Sequence, residues 1–270
     1  MINELSIIIV TFNSEKYISK CLESIKTQCS KLNYEIIIFD NYSEDRTIEL
    51  LESNYNNIRL IKSKKNLGFS KGNNQAINHS TGKYILLLNI DTILLQDLSE
   101  ILNQFKNTES IGALGIKMLD KDKKYLLSVG NFPKPWSLIK LSSLNNISTE
   151  FISGHFNNPN QLRKVDWITG AFLLTKREYW DAVNGLDEDY FMYVEDVDFC
   201  KKLETINKYV YFLPSHYFIH FVGFNKNRER LLIKGYSIFV DKHFRRLNRI
   251  LAKTSLKINY AYKNIFKGLY

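Results

Sequence analysis

Three segments of this chain, LSIIIVTF (5–12), EIIIFD (35–40) and YILLLNID (84–91), are apolar nearly throughout and then stop on a polar or acidic residue. Runs this short do not make a buried helix, and without alternation they are not half-exposed strands. They predict strands covered on both faces, as a parallel sheet requires. Between them, helices are expected from Ser14, as its cap, to about Gln28, over 43–54 with Glu44 and Asp45 at the dipole-favoured start, and from about Ser70 to Asn78. IRLIK (58–62) and IGALGIKML (111–119) read as further strands, a helix follows Gln96 to about Asn107, and WITGAFLLTK (167–176) reads as one strand before the helix REYWDAV (177–183). Alternation of this kind predicts an α/β fold with a mostly parallel central sheet flanked by helices. Residues 130–165 hold three of the four prolines with scattered Asn and Ser, and read as loops over a site.

In open α/β sheets, ligands bind beyond the carboxyl ends of the strands. Asn13, Asp40, Asn66 and Asp91 stand at or near such ends, so polar groups converge on one sheet edge. Asp91 is placed where a cation and a phosphate can meet, although an Asp in a turn or at a helix start is the plainer reading. A second acidic cluster lies in YVEDVDFCKKL (193–203), where Glu195, Asp196 and Asp198 open a helix. Its macrodipole favours carboxylates there, yet three acids in four residues exceed what a helix start needs. Asp196 or Glu195 is therefore a candidate general base. NLGFSKGNNQ (66–75) has neither GxGxxG nor GK[ST], which excludes the dinucleotide fingerprint and the phosphate loop.

The 270 residues allow one large domain or two small ones, and 13% aromatic content argues against disorder. Cys21, Cys29 and Cys200 form no CxxC pair and read as reduced thiols filling core. The N-terminus has no basic n-region or cleavage site, and no apolar run approaches the ~18 residues of a membrane span. A soluble or peripheral protein is expected. Residues 225–270 carry twelve Lys/Arg against Glu229 and Asp241, so the formal charge of +9 is a property of the tail. That suggests a catalytic domain over 1–224 and a basic helical extension over 225–270. In the extension, Leu247, Ile250, Leu251, Ile258, Ala261 and Ile265 form an apolar helical stripe with the basic residues largely off it. Such a helix lies in an anionic membrane interface or packs on the core with its basic face solvated.

Six pieces now stand in an order that resembles family 2 glycosyltransferases: VTFNS (10–14), FDNYSEDRT (39–47), NLGFSKGNNQAI (66–77), YILLLNID (84–91), the stretch 167–203 and HYFIHFVG (216–223). The resemblance is greatest to the rhamnosyltransferase-like subgroup that builds bacterial surface polysaccharides, and it spans roughly residues 4–245. It implies the nucleotide-sugar-binding glycosyltransferase A-type fold and an inverting, metal-dependent transfer. By this resemblance Asp40 accepts a hydrogen bond from a pyrimidine imide, Thr11 and Asn13 line the same nucleoside pocket, and Asn66, Gly68 and Lys71 lie beside ribose or diphosphate. Asn89-Ile90-Asp91 takes the place of the family's Asp-x-Asp element, leaving Asp91 to bind Mg²⁺ or Mn²⁺ and Asn89 to bond sugar or phosphate. His220 matches a further metal or diphosphate contact, while the sequel VGFN (222–225) departs from the family's Gly/Ser-rich stretch, and His216 has no counterpart. Asp196 matches the base that deprotonates the acceptor, with Glu195 the second candidate and Asp198 holding the helix start. Trp167 and Gly170 match positions near the acceptor, a core tryptophan being the alternative.

The activity so implied moves L-rhamnose from dTDP-rhamnose to a lipid-linked or oligosaccharide acceptor. UDP-linked galactofuranose, glucose or N-acetylglucosamine are alternative donors. The expected location is cytoplasmic, peripheral on the inner face of the cell membrane, with no nucleic-acid partner. Two other classes compete. Nucleotidyl transfer needs a basic triphosphate loop near the first strand, which VTFNSEKY does not resemble. A non-catalytic basic adaptor for membrane or nucleic acid would leave the acidic residues dispensable.

Overall fold

The computed structural model describes residues 3–145, 147–221 and 228–266, with side chains to residue 262. The apolar runs are strands: β1 (Leu5–Thr11), β2 (Tyr34–Asp40), β3 (Ile58–Lys62) and β4 (Tyr84–Leu88), linked through the helices α1 (Ile18–Gln28), α2 (Thr47–Asn54) and α3 (Gly68–Ile77). After the short β5 (Thr92–Leu94) come α4 (Leu98–Lys106), β6 (Ile111–Leu119), β7 (Tyr125–Leu126), β8 (Val129–Gly130), α5 (Thr149–Ser153), β9 (Arg163–Val165) and β10 (Trp167–Ile168). The remainder is β11 (Phe172–Lys176), α6 (Arg177–Ala182), α7 (Glu195–Leu203), β12 (Tyr209–His220), α8 (Arg228–His243) and α9 (Arg246–Phe266).

The main sheet runs β3-β2-β1-β4-β11-β6-β12-β5, with β7 beside β6 and β9 beside β12. Pairing is parallel from β3 to β4 and again between β6 and β12, while β11 runs antiparallel to both of its neighbours. The period of two decides what each strand residue meets. Ile7, Ile9, Leu86 and Leu88 enter one buried cluster with α1 and α4, and Ile8, Ile37, Ile85 and Leu87 enter the cluster on the opposite face. Both clusters are dry, which is why β1 and β4 show no polar alternation. The three cysteines are buried and free, filling core as their spacing implies.

Three local expectations are corrected. Ser14 does not cap α1, which starts only at Ile18. Its N–H donates to Thr47 Oγ1 at 2.7 Å and its hydroxyl to the Phe12 carbonyl at 3.1 Å, so it ties the end of β1 to the start of α2. Residues 167–176 are two strands: β10 pairs antiparallel with β8, and the chain then leaves the ladder at Thr169–Ala171 before β11 begins. The interruption has a cause, since the Gly170 N–H donates to Asp196 instead of a neighbouring strand. Residues 130–165 also contain structure: 3₁₀ turns at Pro135–Ile139 and Leu141–Asn145, then α5 and β9.

A third buried cluster joins Tyr190, Val194 and Val197 around α7 to Tyr236, Phe239 and Val240 of α8 and to Ala252 and Leu256 of α9. The expected boundary at 224/225 and the VGFN segment lie outside the described residues. On α9 the face that packs is Ala252, Ser255, Leu256 and Asn259, and the Asn259 amide donates to the Ile139 carbonyl at 2.6 Å. Of the apolar stripe read from sequence, Leu247 (74%), Ile250 (63%), Leu251 and Ile258 are exposed instead. No described helix is long and apolar enough to cross a membrane.

Candidate active site

Parallel pairing sets Thr11 against Asp40 at the carboxyl ends of β1 and β2. Both are fully buried or nearly so, and Thr11 Oγ1 and Asp40 Oδ1 have no hydrogen-bond partner, whereas Asp40 Oδ2 accepts from the Ser43 N–H at 2.9 Å. Buried orphan acceptors are rare and mark a place where a ligand donor fits. Asn13 sits just beyond, its left-handed backbone (φ 49°) tolerable for Asn, and its Oδ1 accepts from the Glu44 N–H at 2.8 Å. Asn13 thus braces the loop after β2 through its own side chain. Asn41 was not singled out by the sequence, yet it is buried and clamps the next loop, accepting from Leu67 N–H at 2.7 Å and donating to the Gly68 carbonyl at 2.9 Å.

That loop turns on Asn66, exposed, whose Oδ1 accepts from the Gly68 N–H at 2.9 Å. Gly68 has φ +84°, and a Cβ there would stand 2.3 Å from the Phe191 carbonyl oxygen. The same carbonyl accepts the Phe69 N–H at 2.7 Å, so the close approach is structural. Gly68→Ala is expected to destabilise the protein by about 1–3 kcal/mol from backbone strain alone, before the steric clash, read as a lower urea midpoint. Lys71 lies one turn on, with its ammonium 3.9 Å from Glu188.

At the end of β4, Asn89, Asp91 and His220 come together. Antiparallel pairing of β12 with β5 sets His220 beside Thr92, and the Phe221 N–H donates to the Asp91 carbonyl at 2.8 Å. His220 Nε2 lies 3.1 Å from Asp91 Oδ1 and 3.3 Å from the Asn89 amide, while Nδ1 faces the Met118 sulfur at 3.3 Å. Asp91 is the one acid of this trio. Among the described residues no three His, Cys, Asp or Glu side chains form a group that could hold a metal ion. Asp91 and His220 therefore fit a divalent cation only when other oxygens complete the shell, as Mg²⁺ commonly does with one or two carboxylates, water and substrate phosphates. His216 points elsewhere, to Glu100 at 3.2 Å.

The acids of α7 have three different settings. Glu195 is buried, its Oε2 has no partner, and burial followed by the charge of Asp196 raises its pKa well above the ordinary range. Asp196 is partly exposed, and its oxygens accept from the Gly170 N–H at 2.9 Å and the Val197 N–H at 2.8 Å. Burial raises its pKa too, against the pull of those N–H donors. Asp198 is buried behind them, accepting from His243 Nε2 at 2.7 Å and the Tyr190 hydroxyl at 3.3 Å, with Lys202 at 3.6 Å. Asp198 so anchors α7 to α8. His243→Ala removes a hydrogen bond to a buried carboxylate and is expected to cost about 1.5–3 kcal/mol, measured by urea unfolding at unchanged m-value.

The turn leading into α7 carries strain. Tyr193 and Val194 have φ of 70° and 74°, a conformation that a β-branched residue adopts only under constraint. Gly235 of α8 leaves room for this turn: any Cβ there would lie 2.8 Å from the Tyr193 carbonyl and the Val194 side chain. Strain of this kind gathers at functional sites. Here it aims the first turn of α7 at the sheet edge.

A cleft of about 500 Å³ brings Asn89, Asp91, His220, Trp167, Gly170, Glu195 and Asp196 onto one wall system. Phe69, Arg228 and Tyr236 also line it, and none of these was expected from sequence. Thr11, Asn13, Asp40, Asn66, Gly68 and Lys71 lie outside this cleft, along the sheet edge toward β2 and β3. Trp167 is bound into its surroundings, with its indole N–H donating to the Asn131 carbonyl at 3.1 Å and its ring against Gly130. Such an arrangement can hold a diphosphate near Asp91 and a hydroxyl nucleophile near Asp196.

Residues 6–169 match the sequence profile described as Glycosyl transferase family 2. Similar proteins include "Rhamnosyltransferase WbbL" of Escherichia coli strain K12, 29% identical over 90% of this chain and 92% of its own length. Another is "N-acetylglucosaminyl-diphospho-decaprenol L-rhamnosyltransferase" of Mycobacterium tuberculosis, 25% identical over 85% of this chain and 80% of its own. Among solved structures, GalNAc-T7 with UDP, GalNAc and Mn²⁺ superposes with a TM-score of 0.66 at 12% identity over 89% of this chain, which spans about half of that one (48%). The mannosyltransferase PcManGT from Pyrobaculum calidifontis, in complex with GDP-Man and Mn²⁺, gives 0.63 at 14% identity over 99% of this chain and 76% of its own. At these identities the structural likeness concerns the fold.

Proposed function

The chain belongs to glycosyl transferase family 2, and on that premise we propose that it transfers L-rhamnose from dTDP-rhamnose to a lipid-linked or oligosaccharide acceptor in polysaccharide synthesis. The fold is of the glycosyltransferase A type. Two similar proteins named as rhamnosyltransferases support the choice of sugar. A UDP donor is the second reading, because a carboxylate oxygen such as Asp40 Oδ1 accepts the imide N–H of uracil and of thymine alike.

One observation carries the proposal: a single cleft holds Asp91 and His220 together with Asp196. In this reading, the orphan oxygens of Thr11 and Asp40 receive the pyrimidine, since a carboxylate oxygen accepts the imide N–H of uracil or thymine. Asn66, Gly68 and Lys71 flank the ribose and diphosphate. Asp91 and His220 hold Mg²⁺ or Mn²⁺, which when bound neutralises charge on the departing diphosphate. Asn89 bonds the sugar or a phosphate oxygen. Asp196 takes the proton from the acceptor hydroxyl as that oxygen attacks the anomeric carbon, and the nucleoside diphosphate leaves from the opposite side, inverting the configuration. Glu195 lies buried beside it, where burial and the charge of Asp196 disfavour its carboxylate form. Trp167 and Gly170 shape the acceptor end, and Asp196 is fixed in part by the Gly170 N–H.

The exposed apolar stripe Leu247, Ile250, Leu251 and Ile258, with Arg246 and Arg249 beside it, supports peripheral contact of α9 with an anionic membrane. Trp136 and Ile139 are also exposed, on the turn that packs against α9. A thermal-shift screen of nucleotide sugars with Mn²⁺ tests the donor reading. The expected result is a raised midpoint with dTDP-rhamnose above all others, because ligand that binds only the folded state stabilises it. A larger shift with a UDP-sugar would transfer the assignment to that donor, and no shift with any would overturn it.

A further inference from the structure

A cavity of about 970 Å³ lies apart from the catalytic cleft, between α8 and α9. Its floor is apolar, made by Phe191, Leu231, Ile233, Leu256 and Tyr260. Its rim carries Arg230, Lys234, Lys253 and Lys257, and among the described residues no acid lines it. Lys253 is paired with Asp241 at 2.6 Å, whereas Arg230, Lys234 and Lys257 have no partner among the described residues. Three unpaired cations over an apolar trough call for an amphiphile: a greasy chain below and a multiply charged anion above.

The position of the groove narrows the choice. Helix α8 turns opposite faces to the two cavities, with Arg228, Leu232 and Tyr236 in the catalytic cleft and Arg230, Lys234 and Ser237 in the groove. The chain between them is continuous as well, since Phe191 lines the groove while Met192 and Tyr193 line the cleft. The two sites are thus separated by one helix, about 10 Å across. A molecule with its anionic head on the groove rim can extend its next group around Phe191 toward Asp196.

We propose that this groove binds the lipid part of the acceptor, a polyprenyl diphosphate, with its isoprenoid chain on the Phe191–Leu256 floor and its diphosphate on Arg230, Lys234 and Lys257. The inference rests on the lipid-linked acceptor of the reading above. A flat bilayer fits the convex face of α9 carrying Leu247 and Ile250 better than this concave trough. A second copy of the chain would set basic rim against basic rim. A nucleic acid would meet an apolar floor with no use for it.

Titration calorimetry of the full chain tests this, with saturating dTDP and Mn²⁺ present so that the donor's diphosphate subsite at Asp91 is occupied. Farnesyl diphosphate is expected to bind at least roughly tenfold more tightly than farnesol or inorganic pyrophosphate. The double variant Arg230→Ala/Lys234→Ala should weaken it at least roughly tenfold, and Ser237→Phe, which fills the floor without touching charge, should weaken it likewise, both keeping the wild-type melting midpoint. Equal affinity for pyrophosphate would reduce the groove to an anion site and overturn the proposal, as would binding indifferent to both variants. Flotation with phosphatidylglycerol vesicles without binding of soluble farnesyl diphosphate would assign the basic rim to the bilayer and also overturn it. Hydrolysis of nucleotide sugars by the wild type is followed separately. Hydrolysis without farnesyl diphosphate binding sinks the groove and keeps the transferase, whereas tight binding with neither hydrolysis nor transfer keeps the groove and sinks the transferase.

Discussion

Asp196→Asn is expected to lower turnover roughly 10²–10⁴-fold, the usual contribution of a positioned general base, while donor binding measured by thermal shift survives. Asp196 is the acid of the pair that reaches the cleft with fixed geometry, held by the Gly170 and Val197 N–H groups. Glu195 is buried and lacks a partner at Oε2, and burial followed by the charge of Asp196 raises its pKa well above the ordinary range, which disfavours its charged form. Glu195→Gln keeps the shape of a side chain whose charged form burial disfavours and should change turnover by only about a few-fold. The reverse pattern would make Glu195 the base. The pH profile carries the same logic. A base works as its carboxylate, and burial raises the Asp196 pKa above 3.8, so the acid limb of the rate should lie above the ordinary aspartate range. Stability has the opposite sign. A carboxyl raised on folding favours the folded state below its unfolded pKa, and that advantage is lost as pH rises through the folded value. Glu195→Gln should therefore gain stability over the wild type progressively as pH climbs above 4.5 and through the raised pKa.

Asp91→Ala is expected to reduce transfer by roughly 10² or more, equivalent to several kcal/mol of charge stabilisation at the leaving diphosphate. The size follows from how little else is there. Asn89 brings no charge, and among the described residues His220 Nε2 is the other ring or acid group within reach, 3.1 Å from Asp91 Oδ1. Removing Asp91 leaves an imidazole and an amide to hold a divalent cation. The extra thermal shift that Mn²⁺ adds to a bound nucleoside diphosphate should vanish in the variant, which separates loss of the ion from loss of the nucleotide. Asn89→Asp is expected to act in the other direction, lowering the Mn²⁺ concentration needed for half-maximal activity. Undiminished transfer by Asp91→Ala would remove the cation from the mechanism.

Strand β4 coincides with YILLL (84–88) as read from sequence, because burial on both faces leaves a continuous apolar run no other role. The same reasoning located Asp40 and Asp91, each placed by the end of a strand whose limits the apolar run fixes. Ser14 was misread as a cap because its true partners, Phe12 and Thr47, depend on where α2 begins in space. The 3₁₀ turns at 135–145 have no periodicity to detect, and proline there marks a turn without saying which. Helix α9 is instructive. Its strongest apolar stripe is the exposed one, and the buried face is Ala252, Ser255, Leu256 and Asn259, where small residues bring the helix close to the Pro135–Ile139 turn and Asn259 bonds its carbonyl. Val194 gave no sign at all. The left-handed turn at Val194 packs closely against Gly235 of α8, forty-one positions further along the chain, and only the folded packing reveals it.

The most direct measurement is the anomeric configuration of the product, read by proton NMR after the full chain has consumed its donor in the presence of Mn²⁺. A single displacement with Asp196 as base predicts a new glycosidic bond of configuration opposite to the donor's, formed by the wild type and lost in Asp196→Asn. Retained configuration, or inverted product formed at an undiminished rate by Asp196→Asn, would contradict it.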